Sequence, residues 1–255
     1  MKKRLPALLL LSLLAGLGGC STLDSLNPFS SSAGPKMAVL KPITATVQTR
    51  VLWRENVGTA GDYVFMPAIV ASSVYAASKD GILARFDDGK QVWRVKAGQT
   101  ISGGVGADGR MVVVGTPKGE LLAYAADDGK LLWKTRATSE VLAPPVLGEG
   151  LVVVRSGDNR LSAYDAANGK RKWIYQRPTP ALSLRVTAAP LLSDKYAFAG
   201  FPGGKLVAVS LSNGASIWEG TVAQPKGSTE LDRVADITSP PVLDGRDICA
   251  VAFQG

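Results

Sequence analysis

The chain has 255 residues, 46% of them hydrophobic, enough for one large core or two modest ones, which excludes a disordered chain or a miniprotein scaffold. Its 28 glycines and 15 prolines against 20% charged residues are the composition of a turn-rich β protein rather than a helical bundle. Histidine is absent, so Ser-His-Asp and Cys-His catalysis, histidine-ligated zinc or haem and imidazole proton shuttles are excluded.

Lys2, Lys3 and Arg4 precede an apolar run from Leu5 to Leu17 that is too short to cross a bilayer comfortably, so residues 1–19 read as a secretory signal peptide. The run leads into Leu17-Gly18-Gly19-Cys20, which resembles the bacterial lipobox. That resemblance implies that the Cys20 thiol takes a diacylglycerol and becomes the mature N-terminus; an ordinary signal peptide beside an incidental cysteine is the alternative. Ser21 rather than Asp follows, a pattern that in Gram-negative lipoproteins resembles sorting to the outer membrane. Loss of the three leading cations lowers the formal charge from +8 to +5, and the remaining surplus is scattered, so no nucleic-acid partner is expected. With Cys20 lipidated, Cys249 is the one remaining thiol and no internal disulfide can form. Residues 20–45, rich in Ser, Pro, Gly and Asn and without periodicity, read as the lipidated N-terminus and a flexible tether.

A repeat organises residues 46–255. Trp53, Trp93, Trp133, Trp173 and Trp218 stand 40, 40, 40 and 45 residues apart. Four of them follow, by four residues, the glycine of Asp88-Gly89, Asp128-Gly129, Asn168-Gly169 or Asn213-Gly214, each a type I′ hairpin signal. The runs Ile82 to Phe86, Leu121 to Tyr124, Leu161 to Tyr164 and Leu206 to Val209 lead into those turns as strands. Earlier in each unit, turns at Asp108-Gly109-Arg110, Gly148-Glu149-Gly150 and Ser193-Asp194-Lys195 introduce Met111 to Val114, Leu151 to Val154 and Tyr196 to Ala199. Ahead of the turns lie Ala68 to Val70, Val146-Leu147 and Leu191-Leu192. Four short antiparallel strands per forty residues predict the blades of a β-propeller, an all-β fold. Four blades fit from Ala68, and a fifth reaches only its second strand, Ile248 to Ala252, about four and a half in all. The strand expected around Thr46 to Trp53 would complete the sheet of a final blade outside this chain.

The segments Ala123 to Trp133 (AYAADDGKLLW) and Ala163 to Trp173 (AYDAANGKRKW) resemble the pyrroloquinoline-quinone type propeller repeat. That resemblance implies that all five tryptophans dock one blade on the next and that a complete ring has eight blades, roughly 370 residues with the leader. Gly104-Val105-Gly106-Ala107-Asp108-Gly109 fits G-x-G-x-x-G, but the strand Met111 to Val114 follows where a dinucleotide site needs a helix. The quinone dehydrogenases resemble this chain in scaffold alone: it has no adjacent cysteine pair and no evident Glu, Asn and Asp set for calcium, and a shared fold is not a shared function. No catalytic residue, metal ligand or cofactor is therefore expected, and a degenerate quinone- or sugar-binding envelope propeller is the alternative.

Loop lengths locate a candidate surface. With Pro67, Gly104, Pro145, Pro190 and Pro241 as markers of the inner strand, the marker-to-tryptophan distances are 26, 29, 28 and 28. The tryptophan-to-marker distances are 14, 11, 12, 17 and 23, so length varies in the connections between blades, and the two longest are neighbours on one face. The first contains Pro180-Ala181-Leu182-Ser183-Leu184-Arg185 and the second Gly227-Ser228-Thr229-Glu230-Leu231-Asp232-Arg233-Val234-Ala235-Asp236-Ile237. Together with the lipobox and the repeat, these segments resemble the propeller lipoproteins of the outer-membrane barrel-assembly machinery. The resemblance implies a non-catalytic scaffold on the periplasmic face of the outer membrane that binds the periplasmic domains of the barrel-inserting subunit BamA, with unfolded barrel proteins as further partners. It places the partner-contacting positions on Leu182, Leu184, Arg185 and Asp236, with Thr238 where the family carries a further acid. The alternative reading is that both leucines fold under their loop and Arg185 pairs with an acid of a neighbouring loop.

Overall fold

A computed structural model describes residues 39–44 and 46–253. The signal peptide, Cys20 and most of the tether lie outside the described residues. Residues 39–44 and 46–50 form no regular structure and are exposed.

From Val51 onward the described chain is built of β-strands and turns, with no helix. Blade 1 comprises β1 (Ala68–Val70), β2 (Ser73–Ala77), β3 (Ile82–Asp87) and β4 (Lys90–Lys96); blade 2 comprises β5 (Gly103–Ala107), β6 (Met111–Gly115), β7 (Glu120–Ala125) and β8 (Leu131–Arg136). Blade 3 holds β9 (Val146–Gly148), β10 (Leu151–Arg155), β11 (Leu161–Asp165) and β12 (Arg171–Tyr175), and blade 4 holds β13 (Leu191–Ser193), β14 (Tyr196–Phe201), β15 (Lys205–Ser210) and β16 (Ser216–Thr221). In each the strands pair antiparallel in sequence order, and β17 (Val242–Asp244) with β18 (Asp247–Cys249) begins a fifth sheet. The chain is thus a partial β-propeller of four-stranded blades, as the repeat predicts.

The core lies between blades. Met111 and Val113 of β6 pack with Val152, Val154 and Tyr164 of blade 3, whereas Val112 and Val114 pack with Tyr75 and Leu83 of blade 1. A middle strand covered on both faces has no solvent side, so Met111 to Val114 reads as an unbroken apolar run rather than an alternation. Gly106 of the apparent nucleotide motif serves backbone approach: a Cβ there would collide with the carbonyl oxygen of Pro145.

Within the blades and their flanks the structure corrects the sequence reading at three places. Of the four Asx-Gly turns, Asp88-Gly89 alone is type I′, with φ of 48° and 78°. The other three run two residues longer, and their glycine N–H donates to the carbonyl four residues back, as Gly129 does to Ala125 at 3.0 Å and Gly169 to Asp165 at 2.8 Å. The longer turns need positive φ at the glycine alone, so Asp128, Asn168 and Asn213 take ordinary conformations and their side-chain oxygens accept the N–H two residues on, beyond the glycine. Second, residues 46–53 form no strand, since a strand requires a hydrogen-bonded neighbour and none of the described residues pairs with them. Third, Ile248 to Ala252 is shorter than expected; Ala252 leaves β18 and bridges Ile237 instead.

Candidate functional site

The repeat first fixes its own frame. In every blade the last two strands slip register by one residue just before the tryptophan. Ala123 pairs with Trp133 and Tyr124 with Leu131, which leaves Leu132 as the extra residue of a β-bulge; Val92, Lys172 and Ile217 are its counterparts. The bulge turns each indole toward the next blade. The Nε1–H of Trp93 donates to the Ala126 carbonyl at 2.8 Å, that of Trp133 to Ala166 at 2.8 Å and that of Trp173 to Leu211 at 2.6 Å. Each indole rests on the turn glycine of the following blade, where a Cβ on Gly129, Gly169 or Gly214 would stand within 3.1 Å of the ring. Trp53 stacks on Phe86 with ring centroids 6.3 Å apart, and Trp218, at the outer strand of blade 4, is 46% exposed.

On this frame the connections between blades share one end of the sheets with the hairpins joining second to third strands. Gly157, in the hairpin of blade 3, donates its N–H to the Glu140 carbonyl of the preceding connection at 2.8 Å. The structure brings all four candidate residues into this region. Leu182 is 48% exposed, Leu184 is half-buried and Arg185 is exposed. Asp236 is 1% exposed: its carboxylate accepts the Leu184 N–H at 2.6 Å and the Gly203 N–H at 3.2 Å. This corrects its reading as a surface contact. Its position in the sequence suggested an exposed loop acid, but both of its oxygens are engaged inside the fold, so its chemistry is that of a brace between the connections. Arg185 follows the alternative reading, a pairing with an acid of a neighbouring loop. It makes a two-pronged bond to Glu140 of the connection before it, with Nε to Oε1 at 2.9 Å and Nη2 to Oε2 at 2.6 Å. The guanidinium holds the Glu140 carboxyl below its ordinary range, and Glu140 in turn raises Arg185.

Leu184 and Arg185 are therefore clipped at successive residues by carboxylates from the two flanking connections. Between the long connections lies a cleft of about 310 Å³, with Ala181 and Leu182 on one side, Pro225, Glu230 and Arg233 on the other and Gly203 also lining it. Glu140, Arg155, Asn159 and Ser183 belong to the same neighbourhood and were not singled out from sequence. Arg155 follows the apolar run Leu151 to Val154, and nothing local in the sequence marks it as buried.

Fold and repeat define a tryptophan-docked propeller, and comparison with known proteins gives the family. The family model described as outer membrane protein assembly factor BamB matches residues 79–255. The chain belongs to this family. A protein of that name from Bordetella pertussis is 43% identical over 251 residues, covering 98% of this chain and 63% of its own length; one from Pseudomonas aeruginosa is 51% identical over 208 residues, covering 80% and 55%. The chain thus spans about three-fifths of the length of the curated relatives it matches. The crystal structure of BamB from Moraxella catarrhalis superposes with a TM-score of 0.72 at 30% identity, over 76% of this chain and 60% of that one. Quinohemoprotein alcohol dehydrogenase from Comamonas testosteroni shares the fold, with a TM-score of 0.54 at 16% identity over 77% of this chain and 40% of that one.

Proposed function

We propose that the chain is part of a non-catalytic scaffold of the outer-membrane β-barrel assembly machinery, anchored to the periplasmic face of the outer membrane through lipidated Cys20. It binds the periplasmic domains of BamA and thereby aids insertion of barrel proteins, whose unfolded chains are further clients; it uses no cofactor. The observation that carries this reading is the clipped segment. An exposed leucine beside a half-buried one is held in fixed geometry on a rigid frame, next to a cation and an apolar-edged cleft. Preordering of that kind lowers the entropic cost of docking a partner. Leu182 and Leu184 are the anchors, Arg185 sets orientation from the rim, and Asp236 and Glu140 act through the loop they position.

The test is capture of BamA periplasmic domains by the intact protein carrying Leu184→Ala with Arg185→Glu. Loss of a seated anchor costs about 2 kcal/mol, so capture should fall roughly thirtyfold while the melting temperature stays close to that of the parent. Undiminished capture by a stable double variant overturns the assignment. A quinone absorbance band in protein purified from its native membrane would instead favour a ligand-binding envelope propeller.

A further inference from the structure

One position of the repeat is occupied differently in blade 3. The residue of the second strand that pairs with the leading leucine of the third is Ala77 opposite Leu83, Gly115 opposite Leu121, Arg155 opposite Leu161 and Gly200 opposite Leu206. In blades 2 and 4 the absent side chain is replaced by a residue of the connection that follows. A Cβ on Gly115 would lie 2.5 Å from Cβ of Val141, and one on Gly200 would lie 2.5 Å from Cβ of Ile237. Val141 and Ile237 are fully buried, so each of those connections is plugged into its own blade by an aliphatic side chain. Glu140 and Asp236, the two acids that clip the Leu182–Arg185 segment, immediately precede these plugs in sequence.

Blade 3 fills the slot from within. The Arg155 side chain is 4% exposed, its guanidinium carbon stands 5.5 Å from the centre of the Phe201 ring, and Nη2 donates to Asn159 Oδ1 at 3.2 Å. Asn159 in turn donates to Ser183 Oγ at 3.4 Å, under the loop between Leu182 and Leu184. Nη1 is buried without a protein partner. Burial lowers the guanidinium to about 10, Asp236 opposes that shift, and the group remains cationic at neutral pH. A buried arginine is expensive to place, whereas blades 2 and 4 carry glycine at the same position.

We infer that Arg155 is a positioning residue that keeps the third connection out of its blade: by filling the slot where neighbouring connections insert Val141 and Ile237, it leaves Leu182 and Leu184 at the surface. The counterpart of Val141 and Ile237 in this connection is Val186, four residues before Pro190, and it is only half-buried, so the segment that carries Leu182 and Leu184 is not drawn into the slot. This deepens the proposed function and rests on it for its biological meaning; the structural effect is separable.

The test uses the intact protein with Cys249→Ser and Leu182→Cys, reading maleimide labelling at position 182, and reads BamA capture separately in the Leu182 background. Arg155→Gly, which installs the residue of blades 2 and 4, should let the connection settle inward and slow labelling at least tenfold. Arg155→Met fills the slot without charge and should label at the parental rate, as should Arg155→Lys. Unchanged labelling in a folded Arg155→Gly variant overturns the inference, and so does slowed labelling in Arg155→Met, which retains the bulk if the glycine variant fails to fold. Slowed labelling with undiminished capture sustains the role of Arg155 and rejects the leucines as the partner site.

Discussion

The indole N–H of Trp133 reaches the carbonyl oxygen of Ala166, thirty-three residues on, and the same ring covers the glycine that closes the next blade's outer hairpin. One side chain therefore supplies apolar burial, a hydrogen bond and a steric ceiling at each junction, and it joins one blade to the next. Removing it should cost far more than a methylene count suggests. Trp133→Ala is expected to destabilise by about 3–5 kcal/mol, and Trp133→Phe by about 1–2 kcal/mol because a buried carbonyl loses its donor. Urea unfolding of both variants measures the difference; a Trp133→Phe variant as stable as the parent would mean that the hydrogen bond contributes nothing.

The turn glycines can be separated into backbone and packing contributions. Gly150 (φ 73°) has open space where a Cβ would go, whereas at Gly169 (φ 72°) a Cβ would lie 2.7 Å from the Trp133 ring. Alanine at either position meets the left-handed penalty of about 1–2 kcal/mol. Gly169→Ala should cost at least about 1 kcal/mol more than Gly150→Ala in denaturant titrations, with a change in Trp133 fluorescence seen only for the former.

Arg155 and Asp236 should be energetically coupled. Asp236→Asn leaves a buried cation without its nearby countercharge and is expected to cost about 3 kcal/mol, while Arg155→Met with Asp236→Asn should cost clearly less than the two single changes added together. A double-variant cycle in urea that closes additively would show the pair to be independent.

Acid should loosen the clip on Arg185. Because the guanidinium lowers the Glu140 carboxyl in the folded state, the pair contributes above the ordinary carboxylate value of 4.5 and is lost as pH falls through the lower folded value. The side chains are 56% and 27% exposed, so the contribution to global stability is below about 1 kcal/mol. Amide exchange of residues 183–186, corrected for its intrinsic pH dependence, should therefore accelerate below about pH 4.5 in the parent and not in Glu140→Gln, which should be fast already at pH 7.

Cys20 lies outside the described residues, and its role is a sequence expectation with a direct test. Cys20→Ala should abolish incorporation of labelled fatty acid and release the protein from the membrane fraction, since one or more acyl chains supply the attachment. Labelling that survives the substitution would leave the lipobox reading without support.

The sequence carried the repeat plainly, because Asx-Gly turns and tryptophans impose local geometry that survives in any context. It was less informative where geometry depends on count or distance. Two extra residues change Asp88-Gly89 into the wider turn of Asp128-Gly129, although the dipeptides are identical. Leu182, Leu184 and Arg185 stood out as a break in register, yet the Asp236 and Glu140 that clip them lie about fifty residues away on either side, and no pattern in the chain pairs them. Arg155 stayed hidden for a related reason: at the end of the run Leu151 to Val154 it reads as a strand meeting solvent, and only the fold puts Phe201 and Asn159 over it.

The bulge ahead of each tryptophan has an evolutionary consequence. The extra residue belongs to no pairing, and its side chain stands on the rim as valine, leucine, lysine and isoleucine at positions 92, 132, 172 and 217. Mutation there is free to change the chemistry of one blade's edge without disturbing the indole beside it. The wheel can therefore acquire a different rim on every blade while inheriting a single, unaltered rule for how blades stack.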